Sequence, residues 1–353
     1  MQEQILSIKS FGARLRARDG LFEVTVPDMS GAGEHRVQQF APHTVQTILL
    51  HRHTSVSTDA MLLAEQNAVT LLVLDERSSP TLFLAGLTPP GAVEIWKRQI
   101  ALHGTPEGLN YAREWLCTKI QRKLKLLSKL KRYREGEPVR IIEDCEKALQ
   151  ETLFRMTGLS LRDPAKAADS LRGLEGSGQR IYLDTLSKLL PPHLRFDGRS
   201  KRPSFDLFNA MLNYAYGILY GWVEKIIWHV GLNPYFGFLH GDTRKQKNML
   251  FDFIEPYRPW IDKIIFNLCA RKEASSQHVS ELSNGGVWLN DDGTSMVTKA
   301  VNERLDEKRE SGSGKTRSLR QTIESDARAF VRLLLGKDEP VADLDLTPAV
   351  VDM

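Results

Sequence analysis

Through roughly the first 85 residues, apolar and polar positions alternate at period two, the spacing of half-buried strands. The run ARLRAR, Ala13 to Arg18, alternates cleanly and meets Asp19-Gly20, a strong two-residue hairpin signal, ahead of Leu21 to Val26. Val45 to Leu50, Val69 to Leu74 and Thr81 to Leu84 add β-rich segments. Ser57, Thr58 or Asp59 caps a short helix carrying Ala60 to Ala64. Residues 1–88 therefore read as a small β-rich domain. Its strand edges offer a dimerisation surface, because unpaired backbone groups invite a second strand.

Pro89-Pro90-Gly91 punctuates the chain, and the period then becomes helical. Helices are expected over about 91–103, 106–133, 138–157, 164–190, 204–230, 256–272, 294–310 and 316–335, interrupted by a hairpin in which Val287 to Asn290 runs into Asp291-Asp292-Gly293. The fold class is α+β multidomain: the small β-rich domain, then a larger all-α catalytic domain over 89–336. The acidic, unpatterned stretch 337–353 is expected to be a disordered tail.

Composition changes this picture little. The 353 residues exceed what one core usually holds, and 41% hydrophobic with 26% charged residues is ordinary for a globular protein. A net charge of +4 excludes a polycation, so any case for nucleic acid rests on where the charge sits. Cys117, Cys145 and Cys269 form no CxxC pair, which argues against a disulfide framework or structural zinc. The start of the chain lacks a signal-peptide core, and no apolar run reaches the ~18 residues of a membrane span. A cytoplasmic protein with no membrane association is expected.

Five segments could carry chemistry. Lys119 to Arg134 holds eight basic residues, no acid, and leucines at 124, 126, 127 and 130. One face packs inward while Lys119, Arg122, Lys123, Lys125 and Lys129 present cations to duplex phosphates, although a solvated helix face is the plainer alternative. Ser311 to Thr316 (SGSGKT) imitates a phosphate loop. It lacks the earlier glycine, since Arg309 stands there, and follows a helix rather than a strand, so a flexible connector is expected.

Leu171 to Tyr182 places Glu175 among Gly173, Gly176 and Gly178 within a helical pattern. Each glycine weakens a helix by up to about 1 kcal/mol, so the cluster needs a reason: close approach of a ligand or another helix. His240 ends an aromatic, Pro-containing loop, where a lone histidine is more often structural than a ligand. Its company raises its standing, because Asp252 and Glu255 lie three apart near the start of a helix marked by Pro256 and Pro259. Carboxylates with one imidazole suit Mn²⁺ and accept Mg²⁺. Basic clusters frame the acids, with Arg199, Lys201 and Arg202 on one side and Arg244, Lys245 and Lys247 on the other, as flanking phosphates would require.

Together LRGLEGSGQRIYLDTL, RSKRPSFDLFNAMLNYAYGILYG, and GLNPYFGFLHGD followed by LFDFIEPYRPWID resemble the CRISPR-associated integrase family, the larger of the two core adaptation proteins (Cas-one). The resemblance runs to about Leu335. It implies a β domain that forms homodimers, a helical catalytic domain, double-stranded DNA as substrate (spacer precursor and CRISPR repeat), and a small partner, Cas-two. It makes Glu175, His240 and Glu255 the metal ligands and catalytic residues, for Mg²⁺ or Mn²⁺. Asp252 becomes a supporting acid, while Asn209 and Tyr216 match a scaffold signature. Pro203-Ser204, where a double proline is common, and Leu183, where many members have Phe, depart from the pattern without touching a ligand.

Overall fold

The computed structural model describes residues 4–27, 36–67, 69–74, 80–84, 91–240, 246–283, 285–310 and 316–337, and divides the chain into two compact units at Pro90/Gly91. The first unit is β-rich. Strands β1 (Gln4–Ile8), β2 (Arg14–Arg18), β3 (Leu21–Val26), β4 (Arg36–Phe40), β5 (Val45–Leu50), β6 (Ser55–Val56), β7 (Thr70–Leu74) and β8 (Pro80–Leu84) form two four-stranded sheets, in orders β1-β5-β7-β8 and β4-β3-β2-β6. Asp19 and Gly20 both take positive φ, 51° and 74°, which is the turn that closes a tight β2–β3 hairpin with Arg18 opposite Leu21. Ser57 is the residue that caps α1 (Thr58–Gln66), accepting from the Ala60 N–H. Leu15, Phe22, Ile48, Ala60 and Leu71 are among its buried core. Strand β4 escapes a reading from hydrophobicity because it is an exposed edge, RVQQF, and β6 is only two residues long.

The second unit is helical: α2 (Ala92–Leu102), α3 (Pro106–Lys131), α4 (Glu137–Thr157), α5 (Pro164–Lys188), α6 (Leu207–His229), α7 (Asn248–Phe253), α8 (Arg258–Ala270), α9 (Asp291–Asp306) and α10 (Leu319–Leu334). Side-chain caps start three of the long ones: Thr105 for α3, Asp163 for α5 and Asp206 for α6, each accepting an N–H three residues on. Helix α6 buries Phe208, Met211, Leu212, Ala215, Leu219, Val223 and Ile227 and is the strut against which α8 and α9 pack. No described helix is long and apolar enough to cross a membrane.

The helix expected across the glycines holds, and two other local expectations need correcting. Helix α5 runs unbroken through Gly173, Gly176 and Gly178. Of the three, Gly178 is the one that faces another helix, where an added Cβ would make ordinary contact 3.4 Å from Leu149 of α4. The hairpin at Val287 turns on its other side: β10 (Val287–Leu289) pairs with β9 (Val279–Glu281). Asp291, Asp292 and Gly293 instead form the first turn of α9 behind the Asn290 cap, where acidic side chains complement the helix dipole. Helix α9 stops at Asp306 and α10 waits for the Ser318 capping box, with a short antiparallel pair, β11 (Arg309–Glu310) and β12 (Thr316–Arg317), between them. Ser311 to Lys315 of the expected connector, and the expected tail beyond Lys337, lie outside the described residues.

Candidate metal centre

The loop that ends in His240 is clamped from two sides. From α2, Trp96 donates to the Gly231 carbonyl (2.9 Å), buried Gln99 accepts from the Asn233 N–H (2.8 Å), and His103 Nδ1 lies 2.7 Å from the Gly237 carbonyl. From α7, Asp252 approaches so closely that a Cβ on Gly237 would sit 2.7 Å from its Oδ2 and 2.5 Å from the Asn248 backbone. Trp115 of α3 packs against both Phe238 and Phe253, which ties loop and helix to the core.

Asp252 is 1% exposed and uses both oxygens on this loop. Its Oδ2 accepts the Phe238 and Leu239 N–H groups at 2.6 and 2.9 Å, and its Oδ1 faces His240 Nδ1 at 2.5 Å. A histidine held this way by a carboxylate has its ring orientation fixed and offers Nε2 to a ligand. Burial pushes the His240 pKa down, but the hydrogen bond and charge of Asp252 outweigh it, so the value is raised.

The two glutamates arrive from elsewhere. Glu175 projects from α5 and Glu255 from the turn between α7 and α8, and both meet Lys119 of α3. The Lys119 ammonium contacts Glu175 Oε1 and lies 2.6 Å from Glu255 Oε2. One helical turn along, Lys123 donates to Gln179. Steps of four on both helices make these two contacts parallel rungs between α3 and α5. The second oxygen of Glu255, Oε1, is 2.8 Å from Arg258 Nε, an ion pair whose N–H does not point at the oxygen. Burial alone would raise the Glu255 pKa, but Arg258 and then Lys119 overcome it and hold the carboxyl at about 2. Glu175 is lowered as well, because Lys119 outweighs burial. Both are carboxylates at neutral pH. Lys123, desolvated and repelled by Lys119, is pushed down to about 7.

Helix α5 is also tied to the histidine loop, since Arg172, one turn before Glu175, donates to the Leu239 carbonyl. His240 and Glu255 feel each other's charge. The donor set, two ionised carboxylates and an oriented imidazole, fits a hard divalent cation, and the carboxylate pair already stabilises one buried positive charge. Among the described residues, however, no three His, Cys, Asp or Glu side chains form a finished metal cage. An ammonium stands between two of the proposed ligands.

Asn209 and Tyr216 are scaffold. Asn209 accepts from Arg199 (2.9 Å) and donates to the Gly198 carbonyl (2.9 Å), and the Tyr216 hydroxyl donates to buried Asp262 (2.5 Å). The expected row of DNA-facing cations on α3 is corrected at its first members. Lys119 and Lys123 are buried, at 3% and 1% exposure, and turned toward α5. Arg122 donates to the Pro256 carbonyl (2.8 Å) and lies over Trp260. Lys125 and Lys129 are half-buried. Arg199 is engaged by Asn209 and Asn213, and Lys247 pairs with Glu224. Lys201 and Arg202 are exposed, while Arg244 and Lys245 lie outside the described residues. Sequence reasoning missed Arg258, although its position three after Glu255 is an ion-pair signal. It also missed the carboxylate-bridging role of Lys119, for which the local sequence holds no signal.

The family described as CRISPR associated protein Cas1 matches residues 6–303. A CRISPR-associated endonuclease Cas1 of Archaeoglobus fulgidus is 27% identical over 94% of this chain and 96% of its own. One from Thermus thermophilus is 30% identical over 92% and 94%. Among solved structures, a casposase bound to integration product superposes with a TM-score of 0.76 at 19% identity, covering 96% of this chain and 92% of that one, a likeness of fold. With a match reaching from the β-rich unit through Glu175, His240 and Glu255 into α9, the chain belongs to the Cas1 family.

Proposed function

We propose that this chain is a metal-dependent DNA endonuclease and integrase that inserts new spacer DNA into a CRISPR array, in the cytoplasm, as part of antiviral adaptive immunity. The observation that carries the reading is the meeting of Glu175 and Glu255, far apart in sequence, around one buried positive charge beside an oriented His240. Family membership and the casposase-like fold support it.

Glu175, His240 and Glu255 would hold Mg²⁺ or Mn²⁺, which when bound supplies Lewis-acid polarisation of a phosphoryl oxygen. Asp252 keeps the imidazole in its ligating orientation, and Arg258 keeps Glu255 ionised. Lys201 and Arg202, with Arg244, Lys245 and the outer flank of α3, would grip duplex arms through phosphates with little sequence readout. In the reaction, the 3′-hydroxyl oxygen of the captured fragment attacks phosphorus at the repeat boundary and the bond to the existing 3′-oxygen breaks. The attacking hydroxyl gives up a proton and the departing oxygen takes one. One phosphodiester replaces another, so no external energy source is needed. Water in place of the hydroxyl gives cleavage, and a branched product run backward gives disintegration. The β-rich unit would form the homodimer, and the small Cas2-type protein would be the assembly partner.

The test is strand transfer. Purified protein, with and without the partner, is given short duplexes bearing free 3′-hydroxyls and a repeat-bearing plasmid. Glu175→Ala, His240→Ala and Glu255→Ala should each abolish products while DNA binding persists, and a fully active His240→Ala protein in Mg²⁺ or Mn²⁺ would sink the assignment. A second reading has one observation in its favour: Lys119 neutralises the glutamates as a purely structural ion pair would. The chain would then be a DNA-binding assembly subunit without chemistry. Crystals soaked in Mn²⁺ separate the two, since that reading requires no density between Glu175, His240 and Glu255.

A further inference from the structure

Lys119 has no part in the chemistry above, yet its placement constrains that chemistry. Its side chain is only 4% exposed, and its ammonium is shared between Glu175 Oε1 and Glu255 Oε2. With Arg258 on Glu255 Oε1, both oxygens of that glutamate are engaged by cations. A divalent ion drawn to Glu255 must therefore share an oxygen with a positive group or displace one, and like charges at such separations repel strongly in a dry site.

The two candidates for displacement are not equally held. The Arg258 guanidinium donates to the Tyr220 hydroxyl and lies 4.9 Å from the ring centre of Tyr216 and 5.4 Å from that of Tyr220. It would lose those contacts by moving. Among the described residues, the Lys119 ammonium is hydrogen-bonded to these two carboxylates, and it sits at the end of four rotatable bonds, where an ammonium is a mobile point charge. It is also a better stand-in for a metal, since it touches both proposed carboxylate ligands while Arg258 touches one. Two facing carboxylates with no cation between them would repel, so a positive group between them stabilises the pair whenever the metal is absent.

We propose that Lys119 is an exchangeable counter-cation: it holds Glu175 and Glu255 together in the metal-free protein and leaves them when Mg²⁺ or Mn²⁺ enters. The ammonium and the metal compete for the same carboxylate oxygens. Lys119 is thus a positioning residue for the empty site and a brake on metal binding. The proposal rests on the metal site proposed above.

The competition has a signature that a merely structural lysine lacks. Lys119→Met and Lys119→Gln should both weaken the metal-free protein and strengthen metal binding. In EDTA, each should unfold roughly 5 °C or more below wild type, as expected when a buried ion pair loses one member. Isothermal titration with Mn²⁺ should show affinity about tenfold tighter than wild type, because the competitor is gone. Saturating Mn²⁺ should also stabilise the variants by more degrees than it stabilises wild type. Glu175→Gln is the control for the site itself. Should wild type bind Mn²⁺ no better than Glu175→Gln, the metal reading fails and this proposal falls with it. Should Mn²⁺ binding depend on Glu175 while both folded Lys119 variants bind no tighter than wild type, the metal reading stands and the counter-cation is overturned. Circular dichroism checks folding, and a Met variant that folds only with Mn²⁺ present supports the proposal.

Discussion

The two halves of the candidate centre are built on different principles. The histidine half is local: His240 and Asp252 are 12 positions apart, and Asp252 also satisfies two backbone N–H groups of the same loop. The glutamate half is assembled over distance, since Lys119 is 56 positions from Glu175 and 136 from Glu255. One half is fixed by hydrogen bonds whose loss would strand buried donors. The other is a balance of charges in which one cation can replace another. Orientation is locked where the ligand is an imidazole, and exchange is left possible where the ligands are carboxylates.

The sharpest way to break this comparison is through Asp252. Asp252→Ala leaves the Phe238 and Leu239 N–H groups unpaired and frees the His240 ring, at about 1–3 kcal/mol for each buried donor. A loss of about 3–5 kcal/mol in chemical denaturation is expected, a large share of a typical domain's stability. Asp252→Asn keeps an acceptor and the side-chain volume and should cost less. A change below about 1 kcal/mol for the alanine variant would show that the loop does not depend on this carboxylate.

Next in size are the glutamates, which should differ from each other. Glu255, 8% exposed and facing both Lys119 and Arg258, leaves one buried and one partly buried cation undercompensated when changed to Gln, at about 3–5 kcal/mol. Glu175 is 27% exposed and, among the described residues, pairs with Lys119, so Glu175→Gln should cost clearly less, about 1–2 kcal/mol. Equal costs in parallel denaturation curves would show that the pair is not asymmetric.

A smaller effect separates the halves by pH. The Glu255 pKa is depressed from 4.5 to about 2, so its contribution is present above pH 4.5 and is lost as pH falls toward 2. His240 is raised above 6.5, so its contribution is complete below 6.5 and is lost as pH rises through the higher folded value. Stability measured against pH should therefore lose a Glu255-dependent component on the acid side and a His240-dependent one above 6.5. A His240→Asn variant that keeps the whole alkaline slope would assign that slope to another group.

Much of this architecture is legible in the sequence alone. The long helices announce themselves through caps such as Thr105, Asp163 and Asp206 and through prolines in first turns, all local signals. Asp19-Gly20 specifies its hairpin for the same reason. What stays hidden depends on partners distant in sequence. A run of cations with no acids reads as an outward row for an anionic partner, and nothing within it says that Lys119 and Lys123 turn inward to meet α5. An ammonium can be buried only when its counter-charges arrive, and those come from another helix and a turn. The edge strand β4 is hidden for a different reason: four of its five residues are exposed, so no buried face imposes an apolar alternation on RVQQF.

The glycines beside Glu175 give the smallest and most discriminating test. Gly178 faces α4, where an added methyl would make ordinary contacts at 3.4 Å from Leu149 and 3.5 Å from Thr152, so Gly178→Ala should be tolerated. At Gly173 and Gly176 a Cβ would meet nothing within 4 Å among the described residues. In an unbroken helix each should gain about 0.5–1 kcal/mol on changing to Ala. If α5 is only scaffold, Gly176→Ala raises the melting temperature and leaves strand transfer untouched. If the surface next to Glu175 must admit a DNA backbone, the same variant is more stable yet poorer at strand transfer, with Mn²⁺ affinity unchanged. The second outcome is expected, since a residue that weakens its own helix without aiding packing leaves close approach by another molecule as the remaining physical reason for a glycine there.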